Sequence, residues 1–467
     1  MKIKGILLTI LAISVALMPI FTGCDSKEPK GEPKIGDGKF QVFGFSTPSG
    51  EHITAEQYKK MKESGIDSAL ALWEDEIPAG TLTQEQFDET DAKKALDAAA
   101  DAGVKYYVMD KALRNMARKA AVTDRDIAKI ESRVALYKDH PGFGGIHLDD
   151  EPAENCFESI EKIRAELERL LGKDTDIFVN LFGSRATGTQ LSGVASKSIS
   201  YEDYLASFEE KTNFNRISYD NYPFYYNADD ENVDIKMWFE NLQQAAQYSS
   251  EDKPMNVYIQ SCNMDPSKGE GEEDYTQNPY YAQIREKEDI TFQLYTAMAF
   301  GAQQFSYFTY FDPNSPEIVE SPVQADGTTT YLYDFVKQAN QELRGFENEF
   351  LSYEFVQTIA VPKDGEELSL LTYMLEENMT DVVEFSTTEE LVVGEMKNLD
   401  GYYAYMIANA TEPRDGLSAS TTLRFKKGYD KAIVINNGER SVVNIEKGVL
   451  TVEVKNGGGV FVMPYYE

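Results

Sequence analysis

The chain is sparing with the residues that build metal centres, redox pairs and nucleic-acid surfaces. It has three cysteines, three histidines and two tryptophans in 467 residues. Cys24, Cys156 and Cys262 are too widely spaced to make a disulfide framework, so stability has to come from a large core. His52, His140 and His147 fall in no HxH or HExxH spacing, which makes them poor metal ligands. A glycine-rich phosphate loop is missing too, and no cofactor signal appears. Positive charge is short: 45 Lys and Arg stand against 79 Asp and Glu, a formal net charge of −34. A phosphate backbone would be repelled, which argues against nucleic acid as a partner and disfavours acidic polysaccharides. Beyond the N-terminus no apolar run reaches the roughly 18 residues a transmembrane helix needs.

What is present begins with a targeting pattern. Lys2 and Lys4 precede an apolar run from Ile6 to Ile20, followed by Phe21-Thr22-Gly23-Cys24. This resembles a bacterial lipoprotein signal, whose lipobox ends in a small residue followed by cysteine. The resemblance implies removal of residues 1–23, lipidation of the Cys24 thiol, and an acyl anchor on the extracytoplasmic side of the cell membrane or at the cell surface. Residues 24–38, rich in Lys, Glu, Pro, Gly and Asp without apolar periodicity, read as a flexible tether.

From residue 39 to 351 a rhythm repeats: an apolar run, polar residues, an amphipathic helix, then glycine or a turn. The predicted strands are Phe40–Phe45, Ser68–Trp73, Val104–Met109, Phe143–Leu148, Ile177–Leu181, Arg216–Tyr219, Asn256–Ile259 and Gln304–Phe308. Predicted helices include Gln84–Ala102, Asp124–Tyr137, Phe157–Leu171 and Tyr201–Lys211. Eight βα units predict an α/β fold, a closed (β/α)₈ TIM barrel. The competing architecture is two doubly wound lobes, as in an ABC-type solute-binding lipoprotein, but no break in the rhythm marks a hinge. Residues 352–467 change to short alternating runs separated by Gly, Asn and Asp, a small all-β sandwich. One of its ten predicted strands is Leu368–Met374.

Chemistry in such a barrel gathers at the C-terminal ends of the strands. The second strand delivers Trp73, Glu74 and Asp75, the third Asp110, the fourth Asp149, Asp150 and Glu151, and the fifth Asn180. The sixth delivers Tyr219, Asp220 and Tyr222, the seventh Gln260, Ser261 and Asn263, and the eighth Tyr307, Tyr310 and Asp312. Carboxylates and amides bond hydroxyl groups and aromatic faces pack on a sugar ring, so the set suits a carbohydrate. Trp73, Asp150, Asn180, Tyr219, Tyr222, Gln260, Tyr310 and Asp312 are the expected binding residues. Cys262 has no histidine base at a strand end and reads as a packed or idle thiol.

The fourth strand carries a further pattern. Gly144-Gly145-Ile146-His147-Leu148-Asp149-Asp150-Glu151-Pro152 changes within one residue from an apolar run to three acids and a strand-ending proline. Asp150-Glu151-Pro152 resembles the Asn-Glu-Pro of glycoside hydrolase clan A, whose Glu is the acid/base, and the C-terminal β-domain is similar to the accessory sandwich of many barrel glycosidases. The resemblance implies a cell-surface enzyme acting on a neutral oligo- or polysaccharide, with Glu151 as general acid/base. Two departures stand out. Asp150 replaces the usual Asn, and the seventh strand ends Gln260-Ser261-Cys262-Asn263 where the clan places its nucleophilic Glu. Asp220, then Asp312, then Asp265 are the candidates for the second carboxyl, with an inverting reaction or a non-catalytic glycan-binding barrel as alternatives. Asp149 and Asp150 are expected to raise the Glu151 pKa by like-charge repulsion.

Overall fold

The computed structural model describes residues 30–72, 76–226, 233–264, 281–368, 379–426 and 428–467. Eight parallel strands form one ring: β1 (Gln41–Phe45), β2 (Ser68–Leu70), β3 (Lys105–Val108), β4 (Phe143–Asp150), β5 (Asp176–Asn180), β6 (Ile217–Tyr219), β7 (Met255–Gln260) and β8 (Ala302–Phe308). Each strand pairs with its sequence neighbour, β1 pairs with β8, and a single bridge from Leu181 to Tyr219 closes the ring between β5 and β6. The two-lobed alternative is thereby overturned.

The strands alternate between two environments, as a period of two requires. Val42, Val108, Ile146, Ile177, Ile217 and Val257 point outward into the apolar layer beneath the helices. Phe43, Phe45, Leu70, Tyr107, Phe178 and Tyr258 fill the barrel. Towards the N-terminal end of the barrel, Arg216 on the segment leading into β6 donates to Asp176 at 2.7 Å and to Gln41 at 3.1 Å. Its guanidinium lies over the rings of Phe43 and Phe178. Gly145 is required here: a Cβ on it would lie 2.3 Å from the Asp176 carbonyl oxygen and 2.7 Å from the Tyr107 ring.

Two predicted helices are each broken in two. Gln84–Ala102 becomes Gln84–Asp88 and Asp91–Ala102, because the Thr90 hydroxyl accepts from the Lys93 N–H and starts a new helix. Asp124–Tyr137 becomes Asp124–Ile127 and Ile130–Val134. Phe157–Leu171 and Tyr201–Lys211 have the predicted bounds. Of the two tryptophans, Trp238 is buried under the helices and bonded to Thr296, while Trp73 lies outside the described residues.

The strands beyond residue 351 are antiparallel: β9 (Glu354–Val361), β10 (Val382–Thr387), β11 (Leu391–Lys397), β12 (Tyr403–Asn409), β13 (Ala419–Phe425), β14 (Lys431–Asn436), β15 (Glu439–Asn444), β16 (Val449–Val454) and β17 (Gly459–Tyr465). They make a six-stranded sheet, in order β9-β11-β12-β17-β14-β15, and a three-stranded sheet, β10-β13-β16. The predicted strand Leu368–Met374 falls almost wholly outside the described residues. Between the two sheets Leu391, Val393, Tyr405, Leu423, Val452 and Val462 form a second core.

The other face of the larger sheet lies on the barrel helix Lys287–Ala299. Thr358 donates to the Ala299 carbonyl, and Gly394 and Gly459 sit where a Cβ would strike Ala299 and Tyr295. Asp289 to Ala299 are buried without exception, which explains a helix that is apolar nearly all round. Residues 30–38, expected to be part of a free tether, instead lie against the body. Gly31 N–H donates to the Tyr466 carbonyl, Tyr402 donates to the Gly31 carbonyl, and Gly36 N–H donates to Ser352. Backbone partners supply what the segment lacks in apolar periodicity. Cys24 and the rest of the proposed signal fall outside the described residues.

Candidate active site at the barrel mouth

The site begins with a fault in β4. Its register against β5 runs Ile146 to Ile177, His147 to Phe178, then Asp149 to Val179 and Asp150 to Asn180. Leu148 is the extra residue of a β-bulge, and a one-residue shift exchanges the two faces of a strand. Asp149 therefore leaves the barrel and Asp150 enters it. Glu151 follows with φ 52°, the left-handed region, which ordinary residues adopt at a cost of about 1–2 kcal/mol. Successive residues of an extended strand face opposite ways; the left-handed turn is what brings Asp150 and Glu151 to one cavity.

Asp149 is occupied elsewhere. It is fully buried and accepts from Arg118 Nε at 2.8 Å and 3.1 Å, and Arg118 also donates to the Asp150 carbonyl. Burial raises the Asp149 pKa to about 6, with Arg118 opposing. Asp110 is likewise structural, capping the helix Lys111–Ala117 and paired with buried Arg133.

Asn180 joins β4 to β6. Its amide nitrogen donates to Asp220 Oδ1 at 2.9 Å and to Asp150 Oδ1 at 3.2 Å, so those two oxygens are at most roughly 6 Å apart. The amide is oriented from below: Ser218 donates to its oxygen, Asn256 donates to Ser218, and Asn256 also bonds Ser306. Four strands thus fix one pair of carboxyls. At Gly183 a Cβ would lie 2.1 Å from the Asp220 carbonyl oxygen, so glycine lets the loop after β5 close against this point.

These acids share a cavity of about 580 Å³, lined also by Phe45, Leu72, Tyr222, Tyr258, Met264, Phe308 and Glu317. Tyr222 stacks on Phe308 at 5.2 Å between centroids, and Phe45 meets Tyr258 at 5.5 Å and Phe308 at 5.7 Å. One wall is acidic and another aromatic. Four short antiparallel strands, among them Asn263–Met264 and Ile318–Glu320, form a small separate sheet that contributes Met264 and Ile318 to the lining.

Burial dominates the electrostatics. It raises the Asp150 pKa to about 7, with the charge of Glu151 adding and the Asn180 amide opposing. Asp220 is pushed well up by burial, then by Glu151 and Asp150, again against Asn180. Glu151 stands at the rim, where partial desolvation of its carboxyl raises its pKa and the charge of Arg118 lowers it. The expected source of its shift, repulsion from Asp149 and Asp150, is not the leading one, because Asp149 has turned away to Arg118. All three acids are thus shifted towards their protonated forms.

Of the expected residues, Asp150, Glu151, Asn180, Asp220 and Tyr222 meet in the cavity. Tyr219 does not: it points outward into the helix layer, since Ser218 and Asp220 occupy the inward positions beside it. Tyr310 is buried in the same outer layer, its Cβ close to Gly44. Gln260 is buried, donates to the Cys262 carbonyl at 3.5 Å and does not line the cavity. Asp312 accepts from Asn314 N–H and holds the turn whose next residues, Pro313 to Ser315, do line it. Asp265 and Trp73 lie outside the described residues.

Ser261 donates to the Thr309 carbonyl, and Asn263 donates to Glu320 and Tyr331, so the end of β7 is committed to structure. Burial pushes the Cys262 thiol up to about 12. Tyr258, Phe308 and Glu317 were not anticipated as site residues. Strand alternation reveals the first two, whereas Glu317 comes from a loop with no sequence signal. Among the described residues no group of three or more His, Cys, Asp or Glu is arranged to hold a metal ion.

No protein-family model matches the chain, and no curated protein is similar to it by sequence. Solved structures do share its fold. A glycoside hydrolase family 5 protein from Bacteroides vulgatus aligns over 91% of this chain and 89% of its own, with a TM-score of 0.51 at 11% identity. A protein described only as a glycoside hydrolase aligns over 91% and 92%, with the same TM-score and identity. A β-galactosidase from the psychrophilic Marinomonas ef1 is a longer protein, of which the chain spans 62% while 67% of this chain is covered, with a TM-score of 0.45 at 11% identity; no conclusion rests on it. The chain thus shares their fold, a parallel eight-stranded barrel followed by antiparallel β-sheets.

Proposed function

We propose that the protein is a glycoside hydrolase acting on a neutral oligo- or polysaccharide, with Glu151 as general acid/base and Asp220 as the second carboxyl of the reaction. The observation that carries this reading is the joint presence of Asp150, Glu151 and Asp220 with an aromatic wall in one open cavity at the catalytic end of the barrel. Desolvation of the Glu151 carboxyl raises its pKa and so favours the form that can give a proton to a departing sugar oxygen, and Tyr222 stacked on Phe308 offers a surface for the ring. Incubating a glycan panel with the full-length protein and with Glu151→Gln tests it. Wild type should release product, and the variant should lose about 10²–10⁴-fold in kcat. Binding by wild type without product from any glycan refutes the enzyme reading in favour of a glycan-binding protein.

The same proposal includes an extracytoplasmic lipid anchor at Cys24, supported by the lipobox-like Thr22-Gly23-Cys24. Cys24→Ser should move the protein from the membrane fraction to the soluble fraction of expressing cells. An unchanged distribution rejects the anchor.

A further inference from the structure

The acids in the cavity are unevenly placed. Asp150, Glu151 and Asp220 all come from β4 and the end of β6, and Asp150 and Glu151 are consecutive residues. The end of β7 presents none among the described residues, and Glu317 approaches only from an exposed loop. Attack at an anomeric carbon must come from the side opposite the departing oxygen. An acid's own sequence neighbour is badly placed for that attack, since consecutive Cα atoms are only about 3.8 Å apart. Asp150 and Asp220, drawn together by one amide, form a compact acceptor for a single N–H beside the acid. The aromatic wall of Tyr222, Tyr258 and Phe308 offers apolar surface for a methyl group.

From this geometry we infer that the substrates are 2-acetamido-2-deoxy glycosides whose own acetamido carbonyl is the nucleophile. The inference rests on the glycosidase reading above. In the first step the Glu151 proton passes to the glycosidic oxygen and the C1–O bond breaks. The acetamido oxygen bonds to C1 as its N–H proton moves to the Asp150/Asp220 pair, leaving a neutral oxazoline. In the second step water adds to C1 and gives its proton to Glu151. The bond from C1 to the acetamido oxygen opens, and the nitrogen recovers its proton from the pair. The sum is hydrolysis with retained configuration, and no protein–sugar bond forms.

The test uses the full-length protein and aryl β-glycosides of gluco and galacto configuration, each with a 2-acetamido or a 2-hydroxyl group. The expected result is hydrolysis of the acetamido compounds at least about 100-fold faster, reflecting the intramolecular nucleophile. A second series replaces N-acetyl by N-trifluoroacetyl, which weakens the carbonyl as a nucleophile, and kcat/KM should fall by about 100-fold or more. Equal hydrolysis of 2-hydroxyl glycosides, or indifference to fluorination, overturns the inference and leaves the glycosidase reading standing. Failure to hydrolyse either class, together with no product from the glycan panel, overturns both.

Discussion

Asp150→Asn should make the protein more stable at pH 8 than wild type, and less active. Burial and the neighbouring Glu151 hold the Asp150 pKa at about 7, against 3.8 in the unfolded chain. Between those values the folded state binds more protons than the unfolded state, so stability declines as pH rises through this window and levels off above it. Each pKa unit is worth about 1.36 kcal/mol, so the ionised group costs up to about 4 kcal/mol at pH 8 and almost nothing at pH 4. Asparagine has the same shape and never ionises. It also removes a charge that raises Asp220, which acts in the same direction. With an unfolding entropy of about 2 cal/mol/K per residue, 1 kcal/mol moves Tm by about 1 °C in a chain of this length. Differential scanning calorimetry should therefore show the variant melting up to about 4 °C above wild type at pH 8, with the curves converging at pH 4. A variant less stable at pH 8, or a Tm difference independent of pH, refutes the assignment of Asp150 as a carboxyl ionised at the expense of the fold.

Other outcomes follow from the neighbouring geometry. Arg118→Ala leaves Asp149 buried without its partner and should destabilise by roughly 1–3 kcal/mol at pH 8 and far less at pH 4, as denaturant titration at both pH values will report. The same variant removes a charge that lowers the Glu151 and Asp150 pKa, so the alkaline limb of the kcat/KM profile should move to higher pH. Tyr219→Phe removes a hydroxyl on the outward face, and kcat/KM should stay within about threefold of wild type; a larger loss contradicts its placement in the helix layer.

Much of the fold was legible in the sequence because barrel strands and helices carry their own signals. The eight apolar runs correspond to the eight strands in order, and Phe157–Leu171 was readable to the residue from its apolar face and terminal glycine. Side-chain direction was less legible. Tyr219 and Asp220 are adjacent on or just past one strand, so both cannot face the cavity, and strict alternation would have chosen Asp220. At β4 alternation alone misleads. Counting from inward-facing His147 without the bulge puts Asp149 inside and Asp150 outside, and the fault at Leu148 reverses them. A bulge arises from pairing with β5, which no local pattern in β4 records. Gln260 has the right chemistry and position, but its carboxamide turns to the Cys262 carbonyl.

The helix Lys287–Ala299 has one consequence for the molecule as a whole. Its side chains from Asp289 to Ala299 are shared between the barrel and the larger C-terminal sheet, with Gly394, Gly457 and Gly459 admitting it at backbone distance. A barrel with a detachable appendage can be shortened or recombined as a unit. Here a cut after residue 351 would strip one side of a helix that flanks β7 and β8, turning a buried wall of the barrel into exposed hydrocarbon. The sandwich thus supplies, late in the chain, the outer layer that buries this helix of the barrel.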